Sequence, residues 1–146
     1  MIRHILVAHD GSEEARRAVE VGVDLALRYG ARATLLTVIQ HPAYAATVGE
    51  VQEADTEKRT FAERLQREAI EAARLRGLDM AAAVVPGHPA EAIVDYAQSH
   101  DVDLIVMGHR GMSNLRRILV GSVADRVVDH APCMILVVPR GRHRRG

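Results

Sequence analysis

Apolar residues follow two different patterns along this chain, and the two patterns alternate. Short continuous apolar runs are typical of buried strands, whereas apolar residues that recur every three to four positions are typical of amphipathic helices. The pattern predicts five strands, at residues 5–8, 33–38, 80–85, 104–107 and 134–138. Helices are predicted to begin after Ser12, near Gln52, at Pro89 and at Ser122.

This alternation indicates the fold class. Aliphatic strands separated by helices are typical of a parallel sheet that helices cover on both faces. We therefore predict an α/β fold with an open five-stranded parallel sheet and helices on both of its faces. If the first and fourth strands are neighbours, the strand order is 3-2-1-4-5, but the local pattern alone does not establish that adjacency.

Polar residues and glycines follow two of the predicted strands. Residues 8–11, which read Ala-His-Asp-Gly, come after the first strand, and Met107 and Gly108 end the fourth. In open α/β sheets, ligands bind beyond the carboxyl ends of strands at the point where the winding direction reverses. If these two strands are neighbours, the sequence predicts a binding crevice between their ends.

A glycine-rich loop connects the fourth strand to the last helix. Gly108 and Gly111 are separated by two residues, and nine further residues lead to Gly121 and Ser122. Glycine allows the backbone to approach a ligand closely, and the first amides of a helix have no partner within that helix. Together with the helix dipole, these amides favour the binding of phosphate. The loop therefore predicts nucleotide binding.

Composition restricts the remaining function classes. The 146 residues have the length of one domain, and 19 basic and 19 acidic residues balance, so no net charge attracts nucleic acid or an anionic membrane. The single cysteine, Cys133, fits a reducing compartment. No apolar run reaches the roughly 18 residues of a membrane span, and the start of the sequence does not have the pattern of a signal peptide. We expect a cytoplasmic protein with no membrane partner.

The end of the sequence is a basic segment with two interpretations. Residues 140–146 contain Arg140, Arg142, Arg144 and Arg145. Such a segment binds nucleic acid in some proteins and is a solvated, disordered terminus in many others. We favour the disordered terminus, so nucleic acid is not an expected partner.

These motifs together make the sequence similar to the universal stress protein family over residues 2–139. The first strand ends in Asp10-Gly11-Ser12, and Gly87 precedes Pro89 at the start of a helix rich in Ala and Ile. The most specific feature is the Gly-x2-Gly-x9-Gly-Ser spacing described above, which marks the ATP-binding branch of that family. The resemblance implies a single domain over residues 1–139 with a Rossmann-like, adenine nucleotide alpha hydrolase-like fold.

The resemblance also implies which residues bind ATP. At the strand ends and beside the adenine, the implied residues are Ala8, His9, Asp10 and Val38. Around the ribose and the phosphates, they are Met107, Gly108, Gly111, Gly121, Ser122, Val123 and Ala124. Arginines within or beside the loop are candidates for additional charge-assisted hydrogen bonds to phosphate, namely Arg110, Arg116 and Arg117.

Asp10 has more than one interpretation, because a carboxylate repels a triphosphate unless something intervenes. Either Mg²⁺ or Mn²⁺ bridges the two groups, or Asp10 accepts a hydrogen bond from a hydroxyl or from the adenine amine. An Asp-Gly pair is also common in plain turns. The eight histidines show no recognised ligand spacing, so no metal site built from protein side chains is predicted.

The predicted function is that of a dimeric, ATP-binding regulatory protein in the stress response, with an unidentified protein partner. The resemblance implies that the homodimer forms through the last strand, Met134–Val138, whose edge would otherwise be unpaired. Three alternatives stay open: a slow or partner-dependent ATPase, an interaction protein that dimerises without nucleotide, and a protein that binds another adenine nucleotide such as cAMP. The sequence contains neither a Walker-type motif nor a visible nucleophile triad.

Overall fold

The computed structural model describes residues 1–40, 48–109 and 122–140. Within these ranges, strands and helices alternate along the chain. The strands are β1 (His4–Ala8), β2 (Arg32–Ile39), β3 (Ala81–Pro86), β4 (Leu104–Gly108) and β5 (Met134–Val138). The helices are α1 (Glu13–Tyr29), α2 (Val48–Leu75), α3 (Pro89–Ser99) and α4 (Ser122–His130). In the described part of the chain, no helix combines the length and the apolar composition needed to cross a bilayer.

The strands form one parallel sheet in the order β3-β2-β1-β4-β5, which confirms the predicted fold class. β1 pairs in parallel with β2 on one side and with β4 on the other, where Val7 lies opposite Val106. The local sequence pattern does not show that β1 and β4 are neighbours, whereas the structure does. All carboxyl ends meet at one edge of the sheet, and the winding direction reverses between β1 and β4.

Helices cover both faces of the sheet and enclose two apolar layers. One layer packs α1 and α2 against strand residues such as Ile5 and Val106. The other packs α3 and α4 against Leu6 and Ile105, because successive residues of a strand point to opposite faces. Each fully buried side chain of this kind contributes about 1.5–3 kcal/mol relative to an exposed one. The sheet is therefore a rigid base for whatever lies at its edge.

The limits of α1 follow the signals that the sequence carries. Ser12 caps its N-terminus, since the Ser12 hydroxyl accepts a hydrogen bond from the Ala15 amide at 3.1 Å. Gly30 ends the helix in the left-handed conformation, with φ +62°, which glycine adopts without strain. The first turn of α1 is consequently fixed directly beside the end of β1.

The longest helix, α2, differs from the sequence-based prediction. It begins at Val48 rather than near residue 52. Phe61, whose spacing from Leu65 and Ala69 is that of an apolar helix face, is 56% exposed. Phe61 lies beside Gly11, which is just beyond the end of β1. At about 1.5 Å per residue, the part of α2 that precedes Phe61 is roughly 20 Å long. Within it, Lys58 lies beside the end of β2, where it contacts Gln40.

A buried polar contact fixes the position of α2 on the sheet. Gln66 donates hydrogen bonds from Nε2 to Thr37 Oγ1 at 3.1 Å and to the Ala83 carbonyl oxygen at 2.8 Å. Because Thr37 is in β2 and Ala83 is in β3, one side chain connects the helix to two strands. β3 forms although alanine is a poor strand former, since it pairs with β2 from Ala81 to Pro86.

Candidate functional site

The turn after β1 is held together by its own side chains. The Ser12 amide donates a hydrogen bond to Asp10 Oδ1 at 2.9 Å, and Gly11 has φ +91°, a conformation that favours glycine. Asp10 is half-buried and lines an open cavity. Asp10 therefore stabilises the turn and also lines the cavity where a ligand is expected.

His9 lies beneath this turn. It is 4% exposed, its amide donates to the Leu36 carbonyl oxygen at 2.9 Å, and its Nδ1 accepts from the Gly11 amide at 3.4 Å. Burial lowers the pKa of His9 to about 4, although the nearby Asp10 carboxylate acts in the opposite direction. His9 is thus a neutral, buried support for the turn, and its imidazole does not offer a positive charge to a phosphate.

The end of β4 is packed tightly against α1. Gly108 is buried, and a Cβ placed on it would lie 2.8 Å from Glu14 Cβ and 2.9 Å from the Glu14 carbonyl carbon. Only glycine fits there without displacing the helix. The first glycine of the loop motif therefore has a structural role, the close approach of β4 to α1, whatever it contributes to a ligand.

Five of the predicted site residues belong to a single packed cluster on the α3 and α4 side of the sheet. They are Ala8, Val38, Met107, Val123 and Ala124. Met107 and Ala124 are buried within it, whereas Ser122, the first residue of α4, is exposed. Since the side chains of Val123 and Ala124 face the core, their contribution to a ligand is limited to the backbone amides of the first turn of α4.

Several predicted residues of the glycine-rich loop lie outside the described residues. They are Gly111, Gly121, Arg110, Arg116 and Arg117. The tail beyond Arg140 lies outside them as well. Arg140 itself lies at the end of β5, where its Nη2 is 3.1 Å from Glu13 Oε2 in the first turn of α1. The place of the five loop residues in the site stays a prediction.

An open cavity of about 550 Å³ lies at the carboxyl edge, beyond β1 and β2. It brings together Asp10 and Val38, two residues predicted from the sequence. The other residues that line it are Thr37, Ile39, Gln40, Glu57, Lys58, Phe61 and Ala62. Lys58 donates a hydrogen bond from Nζ to the Gln40 carbonyl oxygen and so connects α2 to the end of β2.

The contribution of α2 to this cavity is not apparent from the sequence. Glu57, Lys58 and Phe61 have the spacing of an ordinary helix face, and that periodicity predicts core and solvent without indicating a ligand. The available signal was the length of the helical pattern, which exceeds what the short strands can cover. Among the described residues, no group of three or more His, Cys, Asp or Glu side chains is arranged to hold a metal ion.

The sequence model of the universal stress protein family matches residues 1–139. The chain belongs to this family. A universal stress protein of Thermus aquaticus is 38% identical over 139 residues, which are 94% of this chain and 99% of that protein. The structure of the universal stress protein UspA from Lactobacillus plantarum is 31% identical and has a TM-score of 0.88 over 94% of this chain and 97% of that one.

One further family structure contains a ligand. A universal stress protein in complex with cAMP is 26% identical and has a TM-score of 0.74 over 95% of this chain and 98% of that one. These matches confirm the family resemblance and the Rossmann-like α/β fold of the members. A related protein of this fold therefore binds an adenine nucleotide, cAMP.

Proposed function

We propose that this chain is an ATP-binding regulatory protein of the cytoplasmic stress response and that it acts as a homodimer with a further protein partner. The nucleoside end of ATP binds in the cavity beside Asp10 and Val38, and the phosphates bind at the loop that leads into α4. The observation that carries the proposal is the open cavity at the carboxyl edge, where two residues of the predicted site meet. The cAMP complex of a related protein supports an adenine nucleotide as the ligand.

The cavity suits a nucleoside in size and in chemistry. Its volume of about 550 Å³ falls within the range of small-molecule sites, which is roughly 300–1,000 Å³. Val38 and Phe61 supply apolar surface, whereas Asp10 and Lys58 supply a hydrogen-bond acceptor and a donor. A largely apolar wall with a few polar groups is the usual composition of a site for a planar base.

The start of α4 suits the phosphates. Amides in the first turn of a helix lack intrahelical acceptors, and the helix dipole adds a partial positive charge there. Ser122 is exposed in this turn and has a hydroxyl group in addition to its amide. The predicted phosphate contacts of Ser122, Val123 and Ala124 are therefore consistent with the position of these residues.

The experiment that tests the proposal is the identification of nucleotide that copurifies with the protein. The protein is purified without added nucleotide and denatured, and the released compounds are identified by chromatography and mass spectrometry. Wild type should release ATP. Ser122→Asp should release none and keep its melting temperature, because an acidic residue is favourable at a helix N-terminus but repels phosphate.

The matched control for that variant is Gln98→Glu, which adds the same charge at an exposed position near the end of α3. That position is at the opposite edge of the sheet, so the nucleotide content should equal that of wild type. A wild-type protein that releases nothing, and whose melting temperature does not rise when ATP is added, would contradict the proposal. An interaction protein that does not need nucleotide would then be the better description.

The role of Asp10 is tested by Asp10→Asn, which removes the charge and keeps an oxygen that can accept from the Ser12 amide. If Mg²⁺ or Mn²⁺ bridges Asp10 and the phosphates, the variant should lose ATP affinity only when the divalent ion is present. If Asp10 accepts a hydrogen bond from the nucleoside, the loss should be equal in EDTA. Titration of both proteins in the two buffers distinguishes these two interpretations.

Binding is favoured over turnover because the sequence contains neither a Walker-type motif nor a visible nucleophile triad. Rapid hydrolysis requires a group that positions water near the γ-phosphate. Release of ADP rather than ATP from the purified protein would favour the slow ATPase, and stronger protection of the fold by cAMP than by ATP would favour the cyclic nucleotide.

The proposed dimer forms through β5, which is an edge strand of the sheet. Met134 is 51% exposed and Leu136 is 37% exposed, so the strand presents apolar side chains as well as an unpaired backbone edge. Leu136→Glu should convert the dimer to a monomer of 16.0 kDa in light scattering. Val128→Glu, at an exposed apolar position of α4, is the control and should remain dimeric. A monomeric wild type at micromolar concentration would refute this assembly.

A further inference from the structure

Helix α2 forms the outer wall of the cavity. Glu57, Lys58, Phe61 and Ala62 line it from the helix side, opposite the end of β2. The part of α2 that carries the first three of these residues is exposed, and these residues face the cavity. Residues in this position are available to a ligand and not only to packing.

Among the described residues that line this wall, Phe61 is the one large apolar side chain. It is 56% exposed, whereas Leu65, one turn further along the helix, is 5% exposed and packed on the sheet. A Cβ placed on Gly11 would lie 3.4 Å from Phe61 Cζ and 3.7 Å from Leu65 Cδ2. The aromatic ring therefore lies against the Asp10-Gly11 turn.

A ligand in the cavity would cover part of the Phe61 side chain. Full burial of such a side chain is worth about 1.5–3 kcal/mol, and small-molecule sites are lined mainly by hydrophobic and aromatic side chains. Asp10 lies next in sequence to Gly11 and lines the same cavity, which is the proposed nucleoside pocket. A flat, apolar partner that brings its own polar edge, such as a purine, is the occupant that this combination of groups fits.

We propose that Phe61 stacks on the purine base of the bound nucleotide and is a positioning residue for it, an inference that rests on the proposed function. The base lies between the aromatic wall of α2 and the end of β2 at Ile39. Stacking is tolerant of base edge chemistry, so Phe61 contributes affinity while polar groups such as Asp10 contribute selectivity. The nucleotide then connects α2 to the sheet.

The composition of the chain allows a direct test, since Phe61 is its only phenylalanine. Protein labelled with ¹³C on the phenylalanine ring gives a single set of ring signals in NMR spectra. Addition of ATP or adenosine should shift these signals upfield, because a stacked base produces a ring current. Inorganic tripolyphosphate, which has no base, should leave them in place. Absence of a shift under conditions where ATP is bound would overturn the proposal.

Variants of the same position separate stacking from apolar contact and from a structural role. Phe61→Ala should weaken ATP binding about tenfold. Phe61→Leu should weaken ATP binding nearly as much, whereas Phe61→Tyr should bind ATP about as tightly as wild type. Leu75→Ala is the matched control, since Leu75 is 79% exposed on the same helix and lies at its far end. The melting temperature without ligand should be similar in all of these proteins.

The outcomes also separate this inference from the proposed function. If wild type binds no ATP, the proposed function fails. If wild type binds ATP but Phe61→Ala or Phe61→Leu binds it equally well, nucleotide binding stands and the stacking role is wrong. If Phe61→Ala melts far below wild type in the absence of ligand, the ring has a structural role and the inference is again wrong.

Discussion

Acidification should destabilise this protein through His9, which is buried and neutral beneath the Asp10-Gly11 turn. Burial lowers its pKa in the folded protein to about 4, from 6.5 in an unfolded chain. Between these two values the unfolded chain binds a proton that the folded protein does not. The free energy of unfolding therefore rises with pH across this window. The part of it that depends on neutral His9 is lost as the pH falls.

The size of the effect follows from the two pKa values. For one group with these values, linkage gives a loss of about 2 kcal/mol between pH 7 and pH 5 and about 3 kcal/mol by pH 4. For a domain with a total stability of about 5–15 kcal/mol this is a substantial fraction. His9 is 4% exposed, so solvent screening does not reduce the loss greatly.

The measurement is urea unfolding at pH 7 and pH 5 for wild type and for His9→Asn. Asparagine keeps an oxygen that can accept from the Gly11 amide, as His9 Nδ1 does, but it does not titrate. The other histidines are common to both proteins, so the difference between the two pH dependences isolates His9. We expect wild type to lose about 2 kcal/mol more than the variant. Equal losses in the two proteins would refute the assignment of a buried, neutral His9.

Two further predictions concern the positions that hold the edge of the sheet together. Gly108→Ala should lower the free energy of unfolding by about 1–3 kcal/mol, since its Cβ would overlap Glu14. Gly49→Ala, where no atom of the described residues lies within 4 Å, should not lower the free energy of unfolding in the same urea assay. Asp103 accepts hydrogen bonds from two backbone amides at the start of β1, and these hydrogen bonds lower the pKa of its carboxyl group. The contribution of Asp103 to the free energy of unfolding is therefore present near neutral pH and is lost as the pH falls through that lowered pKa. Asp103→Ala should therefore be less stable than wild type at pH 7, and the difference should shrink in strong acid, as thermal unfolding at both pH values will show.

Much of the fold could be predicted from the sequence because its signals are local. Ser12 and Gly30 limit α1, and Pro89 begins α3, since each of these residue types has a backbone or side-chain preference that acts within a few positions. The alternation of aliphatic runs with helical periodicity required a covered parallel sheet. Asp10 and Val38 were predicted through family motifs, and the structure places both on one cavity.

The rest depended on distances between segments that are far apart in the chain. Phe61 has the periodicity of a core residue, yet it lies at the carboxyl edge of the sheet because α2 is longer than the sheet that it covers. Gly108 belongs to a ligand-binding motif, yet its lack of a side chain is required by the first turn of α1. His9 follows a strand end that is typical of ligand contacts, yet burial makes it a neutral support.

By itself, then, the amino-acid sequence determined the order and type of the elements, the sheet class and the family, because those properties follow from the spacing of apolar residues and from short motifs. Only the tertiary structure decided that β1 lies between β2 and β4, and that α2 supplies the wall of the cavity. The physical reason is that burial and close approach are properties of pairs of surfaces. A residue such as Phe61 is core or ligand surface according to what lies opposite it, and periodicity does not contain that information.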